Sequence, residues 1–323
     1  MSAAPSAPTS PLERKARLMR RASLASVGVA AILVVAKLAA WLVTGSVAVL
    51  STLIDSLLDG AASLVTLFAV RQALTPADED HRFGHGKAEP LAGLGQSAFI
   101  AGSGALLLIQ AISRLLAPEP VRDGAIGIAV MVLSIALTLA LVSFQRYVVR
   151  QTDSVAIGAD SLHYTGDLLA NLAVIGSLTV GMLVDLPLLD PLLGMGIAAY
   201  LMVNAWHIGL ESIDLLMDKE LPAQDRERII ATCLEHPEVR DVHDLRTRRS
   251  GPLSFIQLHL ELDPNQTLLA AHTIAVDVED RLRALYPQAD VLIHQDPAGL
   301  QEGNHPPLAY QDASLTQDRA PKK

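Results

Sequence analysis

The chain has 323 residues, 50% of them hydrophobic and only 18% charged, with a formal net charge of -9 and a mean hydropathy of +0.35. It is too apolar for an ordinary soluble protein of this length, and its acidic balance argues against a nucleic-acid partner. The single cysteine, Cys233, rules out an internal disulfide and any thiolate cage, so a metal would have to be held by oxygen and imidazole.

Residues 1–13, rich in Pro, Ser and Ala, are expected to form a disordered tail, and Arg14, Lys15, Arg17, Arg20 and Arg21 follow. The next apolar segment is too long for a signal-peptide h-region and has no clear cleavage site, so it reads as a first spanning helix. Crossing the hydrocarbon core takes about 20 apolar residues. Six segments qualify, roughly 22–44, 47–70, 91–113, 124–145, 156–184 and 191–210, within a transmembrane domain of 14–213. A turn near Gly45 and a loop around Pro187 and Pro191 make the first and last pairs antiparallel hairpins. The N-terminal stretch carries five cations, the 71–90 loop three (Arg71, Arg82, Lys87) and the 146–153 loop two, against only Arg114 and Arg122 on the other side. Both termini are therefore expected in the cytoplasm.

From Lys219 the texture becomes that of a small soluble domain, bounded at 214–297. An amphipathic run from Leu221-Pro222 to about Leu234 predicts a helix. Phe255 to Leu262 alternates strictly, with Ile256, Leu258, Leu260 and Leu262 on one face and Gln257, His259 and Glu261 on the other, which predicts a half-buried strand. Further strands across 239–248 and 289–295 and a helix across 268–285 complete an αββαβ order, with helices covering one face of a small sheet. Residues 298–323 lack periodicity and are expected to be a disordered tail.

Three constellations carry chemistry. Asp55 and Asp59 in the second segment, and His163 and Asp167 in the fifth, are each spaced i,i+4, which puts both members of each pair on one helix face. Ionisable groups inside spanning helices are costly and mark function. Three carboxylates and an imidazole make a plausible tetrahedral set for zinc, and they outnumber the one nearby cation, Lys37. In the loop after the second segment, Asp78, His81 and His85 could converge on one ion, with Gly84 and Gly86 letting the chain fold around it and Asp80 or water completing the shell. In the soluble domain, His243, His259, His272, His294 and Asp296 suggest a second metal centre, which a bridging Asp296 would make binuclear. His294 and Asp296 are two apart on a strand and so share a face. His207, His236 and His305 have no ligand-type neighbours at useful spacing and read as structural or incidental.

Asp55-xxx-Asp59, Phe83-Gly-His85-Gly-Lys87-Ala-Glu89, Ser143-Phe-Gln-Arg146, His163-xxx-Asp167 and Val291-Leu-Ile-His294-Gln-Asp296-Pro297 together resemble the cation diffusion facilitators, in particular the bacterial zinc and ferrous-iron efflux pump branch. The resemblance runs from about Arg14 to Pro297. It implies a homodimer in the lipid of the bacterial inner membrane, with six transmembrane helices and a small α+β, metallochaperone-like cytoplasmic domain. Asp55, Asp59, His163 and Asp167 match the transport site. Asp78, His81 and His85 match the loop site, and His243, His259, His272, His294 and Asp296 match the cytoplasmic binuclear site. Lys87 and Asp218 match an interlocking ion pair between the two domains.

The expected function is export of Zn(II), with Cd(II) and Fe(II) as additional ions, by divalent metal/proton antiport, zinc also serving as a structural or regulatory ion. A dedicated Fe(II) or Mn(II) exporter of the same fold is the alternative. The chain is not expected to be an enzyme, because it holds no His-Glu-x-x-His pair and no obvious nucleophile-base pair. A metal sensor without transport leaves the transmembrane constellation unexplained.

Overall fold

Pro11 opens the first helix at a position where its missing N–H costs nothing, and Glu13 sits in the first turn facing the positive end of the helix dipole. The computed structural model describes residues 11–45, 47–116, 125–181 and 188–299. Most of both expected tails, Arg122, Pro187 and His305 lie outside the described residues. Helix α1 (Pro11–Thr44) begins well upstream of the apolar stretch expected at 22–44. It ends at Gly45, whose φ of +60° admits the left-handed turn and whose N–H donates to the Trp41 carbonyl at 2.8 Å.

Five further long helices follow: α2 (Val47–Ala73), α3 (Ala88–Leu116), α4 (Ala125–Thr152), α5 (Val155–Gly181) and α6 (Leu189–Leu216). Among the described residues, five helices are long and apolar enough to cross a membrane, which makes this a multi-pass membrane protein. Helix α5 has the length but is not one of those five; it carries Asp160, His163 and Asp167. Large apolar side chains such as Leu42, Leu106, Ile109 and Trp206 are left exposed on these helices, as lipid-facing surfaces require. Helices α3 and α6 approach closely through small residues: a Cβ on Gly104 would press on Met202, and one on Gly209 would meet the Ser97 hydroxyl at 3.1 Å. Ile100, Leu162, Leu201 and Ala205 form one buried cluster, and Leu141, Val142 and Tyr164 another.

The chain divides into two units. The first joins the helices up to Pro222 with Thr247–Ile256 and Gln288–Asp290, and the second comprises Ala223–Arg246, Gln257–Pro287 and the segment from Val291. Helices α7 (Ala223–Leu234) and α8 (Leu268–Leu285) accompany strands β1 (Asp241–Ser250), β2 (Leu253–Leu262) and β3 (Ala289–Pro297), in the sheet order β1-β2-β3. The alternation expected of β2 is present: Leu258, Leu260 and Leu262 are buried, with Ile229, Cys233, Val278 and Leu282 as further core residues. Thr267 caps α8, its hydroxyl accepting from the Ala270 N–H at 3.2 Å. Burial pushes the Cys233 thiol up to about 12, so it behaves as a small core hydrophobe rather than a ligand.

Candidate metal centres

Among the described residues, three groups of ligand-type side chains come together, each with its ligand atoms within 4.8 Å of one another: Asp59, His163 and Asp167; Asp78, His81 and His85; His243, His259 and Asp296. The first lies between α2 and α5. His163 Nε2 is 2.9 Å from Asp59 Oδ1 and 3.9 Å from Asp167 Oδ2, and its ring rests edge-on against Phe99. The i,i+4 spacing on α5 points His163 and Asp167 to the same side, where Asp59 meets them. Asp55, one turn away on α2, is exposed and stands outside this group. Lys37 spends its donors on the Ser56 hydroxyl at 2.6 Å and the Thr52 carbonyl at 3.1 Å rather than on the carboxylates.

The loop group is held by its own backbone. Asp78 accepts from the His81 N–H at 2.7 Å and the Asp80 N–H at 3.1 Å, which directs the Asp80 main chain rather than its carboxylate to the cluster. The bond from the His81 N–H, aided by the two imidazoles, holds the Asp78 carboxyl below the usual carboxylate range. His81 and His85 each approach Asp78 at 3.4 Å, and their rings lie 4.5 Å apart. Gly84 takes a φ of +76°, a conformation few other residues reach. Gly86 lies so close to Ser250 and Gly251 that no Cβ fits there.

The sheet assembles the third group. His243 on β1, His259 on β2 and Asp296 on β3 sit on neighbouring strands, with Asp296 Oδ2 at 3.3 Å from His243 Nε2 and 2.7 Å from His259 Nδ1. The other carboxylate oxygen of Asp296 is 3.0 Å from His294 Nε2, although His294 stays 65% exposed. A carboxylate that presents separate oxygens to different imidazoles has the form needed to bridge two ions. The structure does not bring His272 to this group; it is exposed on α8. Asp244 and Glu261, not singled out from the sequence, flank the group at 3.7 Å from His259 and His243 respectively. His236, read as incidental, stands 3.6 Å from Asp277.

Two further features went unread in the sequence. Asp160, one turn before His163, is wholly buried among hydroxyl and amide groups from other helices. Arg248 lies over the rings of both Phe83 and Phe255, at 4.7 and 4.6 Å. Asp160 carried a signal, a carboxylate inside an apolar segment, whereas the partners of Arg248 are too far apart in sequence to suggest each other.

Comparison with known proteins identifies the family of the chain. Residues 23–217 match the cation efflux transmembrane domain, and residues 221–298 match the cytoplasmic domain of cation efflux proteins. The cation-efflux pump FieF of Cronobacter sakazakii is 47% identical over 284 residues, covering 88% of this chain and 94% of the relative. The FieF pump of Serratia proteamaculans is 47% identical over 285 residues, covering 88% and 95%. Among solved structures, the metal-bound C-terminal domain of the CzcD transporter from Thermotoga maritima is 27% identical and covers 25% of this chain and 100% of that one, with a TM-score of 0.24. With both family domains matched in order and relatives this similar over most of its length, the chain belongs to the cation diffusion facilitator family.

Proposed function

We propose that this chain is a homodimeric secondary transporter of the bacterial inner membrane that exports Zn(II), with Cd(II) and Fe(II) as further ions, in exchange for protons. The observation that carries the reading is the meeting of Asp59, His163 and Asp167 near the middle of α2 and α5. Carboxylates and an imidazole are costly at that depth unless they are paired or line a polar cavity, and such groups mark ion pathways. Imidazole beside carboxylate favours zinc over harder ions. Relatives named as cation-efflux pumps support export as the direction.

In this reading all six helices α1–α6 span, both termini and residues 214–297 are cytoplasmic, and Asp55 completes the transport site when metal arrives. The loop and sheet groups hold accessory ions, with His272 and His294 joining the latter. Ligation needs the lone pairs that protons also occupy, so metal and proton displace one another. Facing the cytoplasm the site loses protons and takes metal; facing a more acidic exterior it takes protons and releases metal.

The test is flux of a panel of divalent ions in proteoliposomes under an imposed pH gradient. Uphill zinc accumulation should follow the gradient and vanish when it is collapsed. Accumulation indifferent to the gradient would remove the antiport. Transport of iron or manganese without zinc would favour the alternative exporter.

A further inference from the structure

Among the ionisable groups of α2 and α5, exposure falls from Asp55 and Asp167 through Asp59 and His163 to Asp160. On α2, Asp55 is exposed, the Asp59 side chain is 17% exposed and Ser63 is wholly buried; on α5, Asp167, His163 and Asp160 fall from 40% to 7% to 1%. With the helices oriented as proposed, Ser63 and Asp160 lie one turn to the cytoplasmic side of Asp59 and His163. They are the polar layer between the metal ligands and the compartment that metal must come from.

That layer is a closed network. Asp160 Oδ2 accepts from the Ser26 hydroxyl of α1 at 2.5 Å and from the Gln145 amide of α4 at 2.7 Å, and Asp160 Oδ1 accepts from the Ser63 hydroxyl of α2 at 3.2 Å. Gln145 also donates to Ser26 at 2.9 Å, and the Tyr164 hydroxyl is 2.9 Å from Ser63. Ser26, Ser63, Gln145, Asp160 and Tyr164 are each at most 1% exposed. Gln145 Oε1 is buried with no hydrogen-bond partner among the described residues. No Lys or Arg stands among these partners, so the carboxylate is held by neutral donors alone.

Apolar packing would seal the bundle here without the desolvation cost of five polar groups. A polar seal makes sense where the layer must part and meet water and a cation. When it parts, the Asp160 carboxylate, the Ser26 and Ser63 hydroxyls and the spare Gln145 carbonyl become oxygen ligands facing the opening. We infer that this network is the cytoplasmic closure of the metal path, and that Asp160 receives the entering cation ahead of Asp59 and His163. The inference rests on the transport reading and its orientation.

The closure is tested by thiol labelling of the full reconstituted chain. Cys233→Ala removes the one native thiol, and Ser56→Cys introduces another two turns beyond Ser63 on the same face of α2, at a position 1% exposed. An impermeant methanethiosulfonate applied to the cytoplasmic face should react slowly with Asp160 intact. Loss of one or more buried hydrogen bonds in Asp160→Ala or Ser63→Ala should accelerate it about tenfold or more. Equal rates in the parent and both variants would overturn the closure. Asp160→Asn keeps the shape and part of the hydrogen bonding, so its labelling should stay slow while its KM for zinc entering from the cytoplasmic face rises several-fold at little change in kcat. An unchanged KM would overturn the receiving role. Labelling needs no metal movement, so a parent chain without zinc flux would count against the transport reading, and an unaccelerated label against the closure.

Discussion

Lys87 Nζ stands 2.7 Å from Asp218 Oδ1 and also donates to the carbonyls of Leu215 and Leu216 at the end of α6. The lysine is therefore both an ion-pair partner and a cap for the negative end of a helix dipole. A charge swap, Lys87→Asp with Asp218→Lys, should recover only part of the zinc transport lost in either single variant, because the new carboxylate at position 87 faces the α6 carbonyls. Full recovery in a flux assay would show that the cap contributes nothing.

The same pair bears on pH dependence. Burial alone would raise the Asp218 carboxyl, but Lys87 and the nearby Arg248 outweigh it and hold the group below the usual carboxylate range. A lowered carboxylate stabilises above its ordinary pKa of about 3.9 and loses that contribution as pH falls through the lowered value. Between about pH 5 and 8 the pair is constant. Profiles of zinc transport against pH should therefore be parallel in the parent and Lys87→Met, differing in height alone.

Asp59→Ala and Asp167→Ala should each abolish zinc transport in proteoliposomes while leaving a folded, dimeric protein. Each removes one of the three groups gathered between α2 and α5. Wild-type flux in either variant would mean the site is misplaced.

His163→Asp should admit manganese and weaken the preference for zinc, since an all-oxygen site suits the harder ion. The measurement is the ratio of zinc to manganese flux. An unchanged ratio would take selectivity away from His163.

At the sheet, Asp296 touches His243, His259 and His294. Asp296→Ala should remove most of the rise in thermal stability that zinc gives the chelator-treated protein, because it removes the group common to all three histidines. Retention of the full zinc-dependent rise would mean that the histidines bind without it.

Much of the fold was legible because hydrophobic period reports burial directly. The alternation at Phe255–Leu262 became β2, and the run after Leu221-Pro222 became α7. Strand β1 runs over Asp241–Ser250 rather than 239–248: its Arg-rich end, Arg246 to Ser250, shows no alternation, and the turn at Gly251 with φ of +58° sets where it stops. Helix α1 starts earlier than expected because hydropathy ignores the Pro11 and Glu13 start signal. The i,i+4 spacing of His163 and Asp167 signalled their shared side of α5, whereas the same spacing on α2 did not bring Asp55 into the group. The Asp160 network was not legible, since Ser26, Ser63, Gln145 and Asp160 come from α1, α2, α4 and α5, and no sequence spacing links them.

The guanidinium of Arg248, lying over both Phe83 and Phe255, braces a segment that leads directly into His85. An arginine keeps its charge at any pH a cell meets, and an aromatic face has no proton to lose. Protons compete for the lone pairs with which a cluster of imidazoles and a carboxylate would hold an ion, but this neighbouring brace takes no part in that competition. If the loop holds an ion as proposed, losing it in acid would leave this support in place, and rebinding would need no refolding of the clamp.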